Sequence, residues 1–186
     1  MTQFLTTERM HLRVFEKEAY YALVNSHSDE ELMVLLGFDD PSQLELEKRK
    51  VREGMCTYRT SVCIFHMLHK DSGAFIGSMA FHNWYPEHRR SEIGYITRPE
   101  WRRQGLMREA LATTIPYGFE VLNLNRMEAV IAPYNIGSQA LVKAWNFRQE
   151  GCMKEHYMVN GQLEDSLLFA LTRSEYDQLL LNKAQS

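Results

Sequence analysis

The sequence predicts one α/β domain spanning residues 1–186, and three observations carry that reading. Apolar strand patterns interleave with helical ones along the whole chain, with no linker, internal repeat or low-complexity tract. Near the middle, an apolar strand at 93–97 delivers a basic, glycine-containing turn to a helix that begins near Leu106. Near the end, two strand patterns flank Asn160-Gly161, a dipeptide that favours a two-residue type I′ hairpin.

The elements follow in order. Residues 10–15 alternate and predict a first strand, and 16–26 predict a helix. Further helices are predicted at 29–36 and 41–58, split by Gly37-Phe38-Asp39-Asp40-Pro41. Residues 61–69 are strand-like, Asp71-Ser72-Gly73 is a turn, and 74–81 and 91–97 supply two more strands. The segment 82–90 is polar, contains Pro86, and is predicted to be a loop. From Met107 to Leu122, the residues Leu111, Ile115, Phe119 and Leu122 recur at helical spacing, an apolar stripe for packing on a sheet, with a kink expected at Pro116. A short strand at 127–132, a helix at 138–145, hairpin strands at 147–158 and 164–172, and a terminal helix from Ser174 complete the pattern.

Composition narrows the function classes. With 45% hydrophobic and 24% charged residues the chain has the balance of a globular protein. A net charge of −3 gives no whole-chain field favouring nucleic acid, although a local patch could still meet a ribosome. No apolar run approaches the roughly 18 residues of a spanning helix, and the N-terminus lacks a signal-peptide pattern. Cys56, Cys63 and Cys152 are odd in number and widely spaced, which fits free thiols in a reducing, cytoplasmic compartment rather than disulfides or a zinc site. On a strand, His66 and His69 would point to opposite faces, a poor arrangement for one metal, so no metal is expected.

The segment around Gly105 carries the chemistry. A strand, a glycine turn and a helix N-terminus form an anion site, because the first helical N–H groups have no internal partner. Arg102, Arg103 and Arg108 add cations suited to phosphate oxygens, and Gly105 can adopt positive φ. None of the ten glycines is followed by Lys and no G-x-G-x-x-G occurs, so neither a Walker loop nor a dinucleotide fingerprint is present. The residues read as a pyrophosphate cradle.

Arg102-x-x-Gly105-x-Met107 resembles the Q/R-x-x-G-x-G/A acetyl-CoA motif of the GNAT N-acetyltransferases. Met107 departs from the usual small last residue, and Arg103 stands where many members carry glycine. Asn135-x-x-Ser138-x-x-Leu141 with Phe147 resembles a second segment of that family, with Asn146 in place of its glycine. The segment 157–162 and an Asp165-containing strand resemble the closing hairpin of the RimJ/RimL-like branch. The resemblance covers most of the chain, the opening helices least. It implies a mixed, strongly twisted sheet flanked by helices and acetyl transfer from acetyl-CoA to a primary amine, either a protein N-terminal amine or a small amine. Direct attack in a ternary complex is implied, without a covalent acetyl-enzyme.

The resemblance also implies roles for individual residues. Arg102, Arg103, Gln104, Gly105, Leu106 and Met107 would form the cofactor turn. Tyr95, Ile96 and Thr97 would offer backbone groups to pantetheine where the sheet splays, and Asn135 would line the pantetheine arm. Glu92 is the expected base, on a strand face shared with residues 94 and 96; it could equally pair with Arg89 or Arg90. Ser138 is the expected proton donor to the thiolate, with Tyr134 and Tyr157 as alternatives; Asn135 or Ser138 could also simply cap a helix. The loop holding His82 and His88 could line the acceptor pocket or cover the core edge. The acidic stretch 29–47 reads first as a solvated face and second as an attractor of cationic acceptors. Three questions stay open at this point: a non-catalytic acetyl-CoA-binding regulatory module, an acyl group longer than acetyl, and a homodimer formed through the hairpin strands.

Overall fold

The computed structural model describes residues 3–54 and 60–184. Strands β1 (Gln3–Thr6), β2 (Met10–Glu16), β3 (Ser61–His69), β4 (Phe75–Tyr85), β5 (Arg90–Thr97), β6 (Arg126–Ile131), β7 (Arg148–Val159) and β8 (Gln162–Thr172) form one mixed sheet in the order β1-β2-β3-β4-β5-β6-β8-β7. Neighbouring strands are antiparallel except β5 and β6, which run parallel.

Helices α1 (Lys17–Ser26), α2 (Asp29–Leu36) and α3 (Pro41–Glu53) follow β2. α2 opens on a capping box in which Ser28 and Glu31 satisfy each other's backbone N–H. Asp40 caps α3 and Pro41 occupies its first turn, where a missing N–H costs nothing. A layer containing Phe15, Tyr20, Leu32, Leu36, Leu44 and Ile64 is buried between these helices and the sheet. The central helix α4 (Leu106–Glu120) belongs to the larger core, where Phe65, Phe81, Leu111, Ile115, Phe119 and Phe169 are fully buried. Helices α5 (Ile136–Lys143) and α6 (Arg173–Ala184) complete the fold.

Three expectations are corrected. Strand β1 carries no alternation, being mostly exposed, and gives no sequence signal. Residues 82–85 are not loop: β4 runs on to Tyr85, and only residues 86–89 form the turn. Helix α3 ends at Glu53 with Gly54 as its cap, short of the expected 58, while α4 runs through Pro116 to Glu120. The last residues of the predicted third helix, with Cys56, lie outside the described residues. Both Asn160 and Gly161 have positive φ, as a type I′ turn requires.

His66 is 3% exposed and packs edge-on against Phe15, Tyr20 and Phe75. Its Nδ1 has no partner among the described residues. Burial, assisted by the nearby Arg13 charge, lowers its pKa from 6.5 to about 3, so the folded protein holds it neutral. The unfolded chain binds a proton there below about 6.5 and the folded chain does not, so stability falls as the pH drops through that window. Wild-type protein should therefore lose on the order of 2 kcal/mol more than His66→Leu between pH 7 and pH 5, measured by urea unfolding. Equal losses in the two proteins would remove His66 as the source.

Candidate active site

The parallel ladder between β5 and β6 is short. It joins Arg90 to Arg126, Ser91 to Met127 and Glu92 to Glu128, and then ends. β5 continues to Thr97, held on its other side by β4 through Gly77, while β6 continues to Ile131, held by β8. The two strands therefore part beyond Glu92, and the β5 edge facing the gap has no strand partner. Backbone groups on such an edge need hydrogen bonds from water or a ligand.

At the far end of β5, a 3-10 turn at Pro99–Trp101 leads to the start of α4. Gly105 is left-handed at φ 78°, and Arg103 is left-handed at φ 61°. A glycine at 103 would adopt that conformation without the penalty a side chain carries. Gly105 precedes α4 with no side-chain cap, so the first helical N–H groups face outward. Arg102 Nε donates to the Thr97 carbonyl at 3.0 Å, which ties the turn to the strand and occupies one of the β5 acceptors. Met107 is 8% exposed and packs in the core.

A clamp from the connection between β1 and β2 fixes this turn. Arg9 Nε meets Glu109 Oε2 at 2.7 Å, Arg9 N donates to Glu109 Oε1 at 2.8 Å, and Thr7 Oγ1 also donates to Oε1. Arg9 Nη1 reaches the Gln104 carbonyl at 3.0 Å. Partial burial pushes the Glu109 carboxyl up, but these hydrogen bonds and the Arg9 charge outweigh it and hold it below the usual range. A carboxylate in the first turn also suits the helix dipole.

A groove of about 570 Å³ runs from this turn along Tyr95, Ile96 and Thr97 to the start of α5. Arg102, Arg103, Gly105, Leu106, Met107, Asn135 and Ser138 all line it, together with Arg108, Trp101 and Leu141. Gln104 does not: its side chain donates to the Glu100 carbonyl. Asn135 Oδ1 accepts from Ser138 N at 3.1 Å, so Asn135 is the cap of α5. The Ser138 hydroxyl has no hydrogen-bond partner among the described residues, while the Ser138 carbonyl accepts from Tyr95 OH at 3.4 Å.

The groove continues into a cavity of about 330 Å³ that shares Tyr95, Asn135 and Ser138 with it and is lined also by Glu92, His82 and Tyr157. Glu92 pairs with neither neighbouring arginine. Arg89 bonds Asn123, and Arg90 bonds Glu128 and lies over the Tyr85 ring. Instead, Asn83 Nδ2 donates to Glu92 Oε2 at 3.1 Å, and His82 Nε2 lies 3.8 Å from Oε1. Burial, then the Glu92 charge, raises the Tyr157 phenol above its usual value, which keeps it a proton carrier at neutral pH. Tyr134 lies outside both cavities, and the nearby Glu164 carboxylate raises its phenol above the usual value.

The sequence reading missed Asn83, Arg9 and Glu109. None sits in a motif, and only the register of β4 on β5 and the closure of β1–β2 onto α4 bring them to the site. The acidic stretch is not simply solvated: Glu47 is 8% exposed, accepts from Tyr20 OH at 2.8 Å and pairs with Lys50. Among the described residues, no group of His, Cys, Asp or Glu is placed to hold a metal ion, and no helix is long and apolar enough to cross a membrane.

Comparison with known proteins accounts for this architecture. Residues 9–148 match the acetyltransferase (GNAT) domain. The chain is 33% identical over 176 residues to the uncharacterized N-acetyltransferase p20 of Bacillus licheniformis, covering 92% of this chain and 97% of that protein. It is 33% identical over 84 residues to the ribosomal protein uS5-alanine N-acetyltransferase of Escherichia coli, covering 45% of this chain and 43% of that protein. A crystal structure of a spermidine/spermine N-acetyltransferase from Vibrio cholerae shares the fold, with a TM-score of 0.66 and 22% identity over 92% of this chain and 99% of that one. The chain belongs to the GNAT family, has RimJ/RimL-like relatives, and is an acetyl-CoA-dependent N-acetyltransferase.

Proposed function

We propose that this protein moves an acetyl group from acetyl-CoA to a primary amine, a protein N-terminal α-amine or a small amine, by direct attack in a ternary complex. The single observation that carries the reading is the parting of β5 from β6. It leaves an open backbone edge that runs from the basic turn before α4 to the cavity holding Glu92.

Arg102 and Arg103, with the turn from Gln104 through Gly105 and the first amides of Leu106 and Met107, hold the pyrophosphate. The β5 backbone at Tyr95, Ile96 and Thr97 pairs with the pantetheine amides, and Asn135 walls the arm as it caps α5. An α-amine titrates near ~8 and a lysine amine near ~10.4, so the acceptor arrives protonated. Glu92 takes that proton, which frees the nitrogen lone pair. A β5 N–H stabilises the oxyanion that forms on the thioester carbonyl. The Ser138 hydroxyl gives a proton to the departing thiolate, and Tyr157 faces the same cavity as a second donor. Relatives are named for protein and polyamine acceptors, and both kinds present the primary amine this arrangement needs. The single eight-stranded sheet supports reading residues 1–186 as one catalytic domain, and the free thiols of Cys63 and Cys152 fit a reducing, cytoplasmic compartment.

The test is acetyl-CoA-dependent thiol release against spermidine, lysine, aminoglycosides and peptides with free Ala, Ser or Met N-termini. Turnover on one class establishes the acceptor. Tight acetyl-CoA binding with silence across the panel would instead favour a regulatory module or a protein substrate outside the panel. Propionyl-CoA in parallel reads whether the acyl group is limited to acetyl.

A further inference from the structure

Strand β4 pairs regularly with β5 up to His82 opposite Glu92, and the next pair is Tyr85 with Arg90. Two residues, Asn83 and Trp84, therefore stand against the single residue Ser91, which is a β-bulge. Asn83 takes left-handed φ at 45°, and the Ser91 hydroxyl, fully buried, donates to the His82 carbonyl at 2.8 Å and fixes the bulge from the opposite strand.

In a regular strand, consecutive side chains leave on opposite faces. Here the bulge brings two consecutive side chains to one carboxylate. Asn83 Nδ2 donates to Oε2 of Glu92 at 3.1 Å, and His82 Nε2 sits 3.8 Å from Oε1. Position 94 makes room for this: a Cβ on Gly94 would lie 2.8 Å from His82 Nε2. The Glu92 side chain is 15% exposed, and that of His82 is 39% exposed. His82 and Glu92 line the cavity; Asn83 does not.

We propose that the β4 bulge divides the work of the Glu92 carboxylate, with Asn83 as a positioning residue that pins Oε2 and His82 as a relay that carries the acceptor's proton from Oε1 to solvent. The inference rests on Glu92 being the base. The acceptor ammonium gives its proton to Oε1, leaving a neutral amine and a neutral carboxylic acid. Across the 3.8 Å gap, bridged by one water or closed by a small side-chain shift, the Nε2 lone pair of His82 takes that proton and restores the carboxylate, and the imidazolium releases it to water through its exposed edge. Pinning Oε2 leaves one oxygen to face the amine, so the carboxylate does not lose its attack geometry to rotation.

Four proteins test it: wild type, Asn83→Gly, His82→Ala and Glu92→Gln. Glycine suits the positive φ, so Asn83→Gly keeps the bulge and removes only the grip. With the best acceptor of the amine panel, Asn83→Gly should lose about tenfold in kcat with the acetyl-CoA KM unchanged. His82→Ala should lose about as much and recover severalfold with added imidazole, which a packing defect would not do. Independently of any acceptor, the Asn83 side-chain amide resonances in the 15N spectrum should move in Glu92→Gln. Asn83→Gly within twofold of wild type, or unmoved amide resonances, overturns the grip; His82→Ala without imidazole rescue overturns the relay. Full turnover by Glu92→Gln would instead sink the base assignment itself, so the two failures are distinguishable.

Discussion

Glu92→Gln is expected to lower kcat by about a hundredfold or more near neutral pH while leaving acetyl-CoA affinity within twofold. Glutamine is nearly the same size, keeps an oxygen for Asn83 to bond, and cannot take a proton. Neither Arg89 nor Arg90 pairs with the carboxylate, so the substitution strands no arginine. The effect should shrink as the pH approaches the acceptor's own pKa, where free amine arrives without help from a base. Steady-state kinetics from pH 7 to pH 9.5, beside equilibrium binding of acetyl-CoA, gives both numbers. A variant as fast as wild type at pH 7 removes Glu92 from the mechanism.

The second large effect belongs to the turn before α4. Arg102→Ala combined with Arg103→Ala should weaken CoA binding by about tenfold to a hundredfold, since charge-assisted contacts to phosphate are the strong ones. A pantetheine analogue without the pyrophosphate should bind both proteins alike. The loss should diminish with added salt, because both side chains are exposed and their fields are screened. Calorimetric titration with the two ligands separates the outcomes. Equal weakening for both ligands would point to damage of the β5 end, where Arg102 also bonds the Thr97 carbonyl.

The parts of the fold legible in the sequence were those whose signal is local. The Asn160-Gly161 hairpin and the apolar stripe of α4 each announce themselves within a few residues. The strand, glycine turn and helix start around Gly105 were legible for the same reason, while the turn's use for a cofactor comes from the family resemblance and not from the local pattern. Glu92 was reached through its place on a strand and the family resemblance, and its partners were not legible: sequence neighbours offered Arg89 and Arg90 as an alternative, and the register of two strands supplied Asn83 and His82. The extension of β4 to Tyr85 was hidden by Pro86 and the polar residues around it, because a bulge breaks the two-residue period that marks a strand. Arg9 and Glu109 are about a hundred positions apart, and no local pattern pairs them. The parting of β5 from β6 is a matter of register between strands, which single-chain periodicity does not encode.

The position of β8 between β6 and β7 has a consequence for how this site comes into being. One wall of the gap is β6, and its support away from β5 is β8, among the last elements of the chain to emerge during synthesis. The opposite end of the groove is held by the connection between the first two strands, whose Arg9 must find Glu109. The Arg9 anchor leaves the ribosome before the turn that precedes α4, whereas the β8 anchor leaves after it. Competence arrives only when both ends of the polypeptide have come home, so any acceptor, even a ribosomal one, is met by a finished molecule rather than by a growing one.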